Sequence, residues 1–231
     1  MRILELIGFL LIYAAYLMVW TRKSPTFTQV YPIPKTFLRS TAAKAFLIAS
    51  ALTLSFLSGR DEDLLANFGL RRRFSLEYAL LGIGLGIGLL LVLFLIGGLL
   101  QRFLKGQERA AEAFFQSFPA VTAYLWIFLL AVQAAVTEEL IFRGYLLNLS
   151  AEVMPLGGAV VLQASLFGSS HFKQGLPGVL QSAIIGLIWG VLVVFYNSLL
   201  VSIAAHFVGD WLGISLQYRM WSKTKGQMGE N

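Results

Sequence analysis

Residues 123–144 run AYLWIFLLAVQAAVTEELIFRG. A nearly unbroken apolar run leads, with no turn signal, into two consecutive carboxylates, Glu138 and Glu139, and an arginine, Arg143. No Pro or Gly interrupts the stretch before Gly144, so it is predicted as one helix. A helix this apolar belongs in a bilayer, where an ionisable side chain at the centre costs about 2.5–3.5 kcal/mol on insertion scales. Charges retained at such depth line a watery cavity and carry ions or perform chemistry there.

Working outward, the rest of the chain repeats the apolar signal. Of 231 residues, 57% are hydrophobic and only 13% charged, against about a quarter charged in soluble domains. The mean hydropathy is +0.73. Runs at 3–20, 44–58, 76–100, 121–147, 156–171, 177–196 and 198–217 approach the roughly 20 residues that cross the hydrocarbon as helix. The second is short. The fold class is therefore all-α: a polytopic transmembrane helical bundle of about seven to eight spans around a polar intramembrane cavity. Residues 1–231 form a single membrane-embedded domain without an evident repeat. Loops are expected at 21–43, 59–75 and 101–120, with Pro25, Pro32 and Pro34 keeping the first irregular and Arg71-Arg72-Arg73 forming an interfacial basic anchor. The first apolar run, followed by Trp20-Thr21-Arg22 with no small-residue cleavage site, is expected to be a retained span.

The net charge of +6 does not point to nucleic acid. Its lysines and arginines fall between the apolar runs, where anionic headgroups meet them. On a seven-span count most of them share one side, which predicts a cytoplasmic C-terminus. The chain has no cysteine, so disulfides, thiol nucleophiles and cysteine-ligated metals are excluded. Gly82/Gly86 and Gly84/Gly88 in LGIGLGIGL form two overlapping GxxxG patterns. No Lys-Ser/Thr follows, so they predict close helix packing rather than a phosphate loop.

The deep polar residues are few: Glu138, Glu139, Arg143, Asp210 and the two histidines, His171 and His206. Glu139 and Arg143 are i,i+4 and can pair, while Glu138 points about 100° away. The two glutamates can thus have different duties. His206 and Asp210 are also i,i+4, so Asp210 can orient the ring through an N–H. Phe167 and His171 share that spacing.

Three patterns now stand in order: EExxxR at Glu138–Arg143, FxxxH at Phe167–His171 and HxxxN/D at His206–Asp210. Together they resemble the type II CAAX prenyl protease and bacteriocin-processing family of intramembrane proteases. The resemblance covers the second half of the chain, with residues 121–217 as the catalytic core carrying the motifs. It implies an endopeptidase with a conical, water-filled cavity, in which Glu138 and His171 activate a water while His206 and Asp210 face the scissile carbonyl. Glu139, Arg143 and Phe167 would support them. Many members carry Asn where this chain has Asp210, and a carboxylate stabilises an oxyanion only when protonated or through His206.

Other proteolytic chemistries find little footing. HExxH is absent, Ser170 lies in no GxSG-type sequence, and a two-aspartate site lacks its second deep aspartate. Carboxylate-activated water is favoured, with no cofactor. The alternative is a divalent metal such as zinc held by Glu138, His171 and His206, since N/O ligands suit it. The expected partners are membrane lipids and a peptide or protein substrate, lipidated if the chain acts like the prenyl proteases, and the expected location is the cell membrane. A proton- or ion-coupled transporter and a catalytically silent immunity or partner protein are the competing functions. His171 lies at the end of its apolar run while Glu138 and His206 lie near mid-span. Either that run enters the bilayer only partway or the link over 173–177 dips into the cavity, where unwound backbone is tolerated if it lines water; such a dip is expected.

Overall fold

Backbone amides in hydrocarbon have no water to bond, so each apolar run satisfies its own N–H and C=O groups by coiling. The computed structural model describes residues 1–23, 32–70, 75–100 and 114–228, and no strand occurs among them. The long helices are α1 (Arg2–Lys23), α2 (Ile33–Leu57), α3 (Leu76–Leu100), α4 (Ala123–Glu139), α5 (Leu156–Ser170), α6 (Gly175–Tyr196) and α7 (Leu199–Met228). Helix α4 does not end at Glu139. It passes into a π-helix over Leu140–Leu146 and then an α-helical tail over Leu147–Ala151. Counting that continuation, six helical segments among the described residues are long and apolar enough to cross a membrane, and α5 is a shorter seventh apolar helix. Pro25 and the run Arg71-Arg72-Arg73 lie outside the described residues.

The second span differs from its expectation. In place of a short run at 44–58 behind an irregular loop, α2 is 25 residues long and starts at Ile33. Pro32 caps it and Pro34 sits in its first turn, where a missing N–H sacrifices no helical bond and the fixed φ suits the helix. Lys35, Arg39 and Lys44 lower the hydropathy of this stretch. Lys44, with Ser40 a turn before it, faces the interior of the bundle.

Lipid tails are as apolar as leucine, so helices here associate by close packing and internal polar bonds rather than by hydrophobic burial. Gly82 and Gly86 lie against α7: a Cβ on Gly82 would strike the carbonyl oxygen of Val201, and one on Gly86 would come 2.5 Å from that of Ala205. Gly84 and Gly88 face open space. One GxxxG is therefore a helix contact, and it presses on the backbone next to His206. Gly144 permits a similar approach, since a Cβ there would lie 2.5 Å from the Phe68 carbonyl oxygen.

A polar knot fastens α1 to α2 and to the end of the α4 continuation. Buried Glu5 accepts hydrogen bonds from Ser55 at 3.1 Å, Ser58 at 2.6 Å, Tyr145 at 3.0 Å and Arg60 at 3.2 Å. Arg60 also pairs with Glu152, which pairs in turn with Arg2 at 2.7 Å. Between this knot and the motif residues lies a core in which Phe142 meets Tyr13 and Phe167 edge to face.

Candidate active site

Glu138 and Glu139 close α4, and the next seven residues form the π-helix. π-helical turns are rare and cluster at functional sites. Arg143, inside that turn, still reaches back: its Nη1 donates to Glu139 Oε1 at 2.9 Å, and both side chains are fully buried. The same Oε1 accepts from His206 Nδ1 at 2.8 Å. Because the oxygen already accepts from arginine, Nδ1 carries the proton in that bond. Glu139 thus holds α7 to the π-helix and fixes the ring of His206.

His206 Nε2 points the other way, 3.4 Å from Asp210 Oδ2 and 3.9 Å from Glu138 Oε2. The short bond that orients the ring runs to Glu139, while Asp210, on the same helix, sits by the second nitrogen. Asp210 is the most exposed of the group, with a side chain 38% accessible.

Glu138 is arranged differently from its neighbour. Its Oε1 is 2.7 Å from Lys44 Nζ. It also lines a cavity of about 140 Å³ together with His171, Lys44, Ser40, Tyr13 and Tyr16, large enough for water. His171 caps the C-terminus of α5. Its Nδ1 lies 2.9 Å from the Phe167 carbonyl oxygen and 3.1 Å from Ser170 Oγ. Ser170 Oγ itself donates to that carbonyl at 2.7 Å. An Nδ1–H directed at the carbonyl leaves Nε2 as the acceptor of a neutral ring.

Phe167 joins the parts. The Arg143 guanidinium lies 4.2 Å from its ring centroid, a cation–π distance. The rings of Phe142, His171 and His206 meet it edge on at centroid distances of 5.3, 4.9 and 6.0 Å. Fifteen residues of α5 rise about 22 Å, less than the roughly 30 Å of a hydrocarbon core, and the chain then passes through a 3-10 turn at Phe172–Gln174 into α6.

Of the residues singled out in the sequence, Glu138, Glu139, Arg143, His206 and Asp210 form one connected cluster. His171 reaches it through the shared cavity with Glu138 and the shared contact on Phe167. Among the described residues, no three His, Cys, Asp or Glu side chains are gathered as a metal-binding group.

Lys44, Ser40, Tyr13, Tyr16 and Gln133 went unnoticed in the sequence. The first four come from α1 and α2, which carry no motif. Gln133 Oε1 accepts from Lys44 Nζ at 3.2 Å, and its Nε2 faces Ser40 Oγ at 3.5 Å. The available signal was the lysine itself, set in the apolar context AAKAFLIASALTL, where an ammonium needs an acidic partner.

Residues 120–212 match the family model described as type II CAAX prenyl endopeptidase Rce1-like. The match starts at the turn leading into α4, ends within α7 and contains all three motifs. No curated protein and no solved structure matches the chain.

Proposed function

We propose that this chain, whose residues 120–212 match the family model described as type II CAAX prenyl endopeptidase Rce1-like, is an integral membrane protease that hydrolyses a peptide bond near the C-terminus of a lipidated tail, using water activated by Glu138. One observation carries the reading. Two adjacent glutamates occupy opposite environments, Glu139 locked between Arg143 and His206 and Glu138 presented to a cavity opposite His171. Carboxylates separated in this way take different chemical roles.

In the proposed reaction a water in the cavity donates one hydrogen to Glu138 and the other to His171 Nε2. Its oxygen attacks the scissile carbonyl carbon as its proton passes to Glu138. The carbonyl oxygen becomes an oxyanion facing His206. With Nδ1–H committed to Glu139, the ring in its doubly protonated form offers Nε2–H to that oxygen. Asp210 and Glu139 balance its charge, so Asp210 acts through the imidazole rather than on the oxyanion. The tetrahedral intermediate then collapses: the carbon–nitrogen bond breaks, and Glu138 returns its proton to the leaving amine. The remaining hydroxyl proton passes to the departing amine, and the products are a shortened carboxylate and an ammonium group. We place the protein in the cell membrane, where a lipidated tail would reach the cavity from the bilayer.

The test is cleavage of a farnesylated tail peptide by the full chain in proteoliposomes. Glu138→Gln and His206→Ala should each lower kcat/KM by about 10²–10⁴-fold, and chelator should leave the wild-type rate unchanged. Cleavage that survives Glu138→Gln at the wild-type rate would remove the base from the mechanism. A rate abolished by chelator and restored by zinc would replace the metal-free scheme.

A further inference from the structure

Lys44 lies outside the family-matched segment and takes no part in the chemistry above, yet it holds the group on which that chemistry depends. Its ammonium sits 2.7 Å from Glu138 Oε1 and donates to Gln133 Oε1 at 3.2 Å. Its side chain is only 14% exposed. Among the described residues that line the cavity, Lys44 alone carries an ammonium.

Resting on the proteolytic reading, we infer that Lys44 is the binding subsite for the free C-terminal carboxylate of the substrate tail, and that in the empty site it is parked on Glu138. A tail cut near its end brings its own anion into a low-dielectric lumen. An unpaired carboxylate there is severely penalised. A lysine ammonium is a compact point charge on a flexible four-carbon stem, so it can leave one carboxylate for another within reach of that stem. The exchange replaces one ammonium–carboxylate pair by another of the same chemical type and leaves Glu138 to cavity water and to His206, whose Nε2 lies 3.9 Å from its Oε2. It also has a consequence for the reaction. While Lys44 holds Oε1, one face of the base is occupied. A tail that takes Lys44 releases that face to water, so the base becomes available when a substrate is in place. Gln133, hydrogen-bonded to the ammonium and facing Ser40, fixes the position from which the lysine starts its swing.

The experiment uses one farnesylated peptide ending in cysteine, two aliphatic residues and methionine, made with either a free C-terminal carboxylate or a C-terminal amide. Equilibrium binding to the full chain in nanodiscs is measured by fluorescence polarisation, and cleavage is followed in parallel. Wild type should bind the acid at least about tenfold more tightly than the amide. In Lys44→Met the acid should fall to the affinity of the amide, with the amide unchanged, which also shows that the variant is folded. Lys44→Arg should keep part of the preference. Equal affinity of the two forms for wild type, including no measurable binding of either, overturns the subsite without recourse to any variant. So does a preference that persists in Lys44→Met. The two readings separate cleanly. Discrimination in binding without cleavage sinks the protease and keeps the subsite, whereas cleavage without discrimination does the reverse.

Discussion

Glu138 and Glu139 are neighbours with the same side chain, and only their surroundings assign them. Glu139 has no exposed surface and accepts from two donors on one oxygen. Its Oε2, together with Nε and Nη2 of Arg143, has no protein partner. Buried polar atoms of this kind are commonly met by internal water. Removing one member of a buried ion pair costs about 3–5 kcal/mol, because the other charge is left uncompensated. Glu139→Gln should therefore lower the thermal unfolding temperature in detergent sharply, with loss of activity following from the released His206. Glu138→Gln should lower cleavage by the same roughly 10²–10⁴-fold while shifting the melting temperature far less, since Lys44 keeps Gln133. Equal destabilisation by the two changes would contradict this division of labour.

At the scale of the element, the π-helix and the glycine contacts set the positions from which those side chains act. The EExxxR spacing was legible as an i,i+4 pair, and the pair is present. The change from α to π winding over Leu140–Leu146 was not legible, because it depends on what the turn packs against. The two GxxxG patterns were equally good in sequence, but only the Gly82/Gly86 face meets α7. Gly82→Leu and Gly86→Leu should each force α3 away from Val201 and Ala205 and destabilise the protein by about 1–3 kcal/mol or more. Gly84→Leu and Gly88→Leu should leave it near wild type. Thermal unfolding of the four variants in one detergent checks the prediction, and a loss shared by both faces would refute the one-sided packing.

For the whole molecule, the site is a joint product of two parts of the chain. The motif residues lie on α4, its π continuation, α5 and α7, while α1 and α2 supply Tyr13, Tyr16, Ser40 and Lys44 to the same cavity. What holds α1 and α2 there includes the knot around Glu5. Glu5→Ala should cost about 3–5 kcal/mol, as Arg60, Ser55, Ser58 and Tyr145 lose a common acceptor. Arg60 keeps its second acid, Glu152, and the double change Glu5→Ala with Arg60→Met should recover part of the loss. Thermal unfolding of the two singles and the double closes the cycle, and strict additivity would mean that the charges do not work as a unit. Activity in Glu5→Ala should fall together with stability.

The residues alone determined that the chain is a bundle of membrane-spanning helices. Run length and hydropathy are local quantities, and hydrocarbon admits few other ways to satisfy a backbone. They also marked the deep acids, the arginine and both histidines, since charge in an apolar run is costly wherever the run ends up. The tertiary structure alone decided which acid orients His206, which glycine face is a contact, and that Lys44 belongs to the site. Each is a meeting between distant parts of the chain, and Lys44 touches a glutamate two spans further on. A side chain's local context shows that it needs a partner, and only the packed helices choose which one it finds.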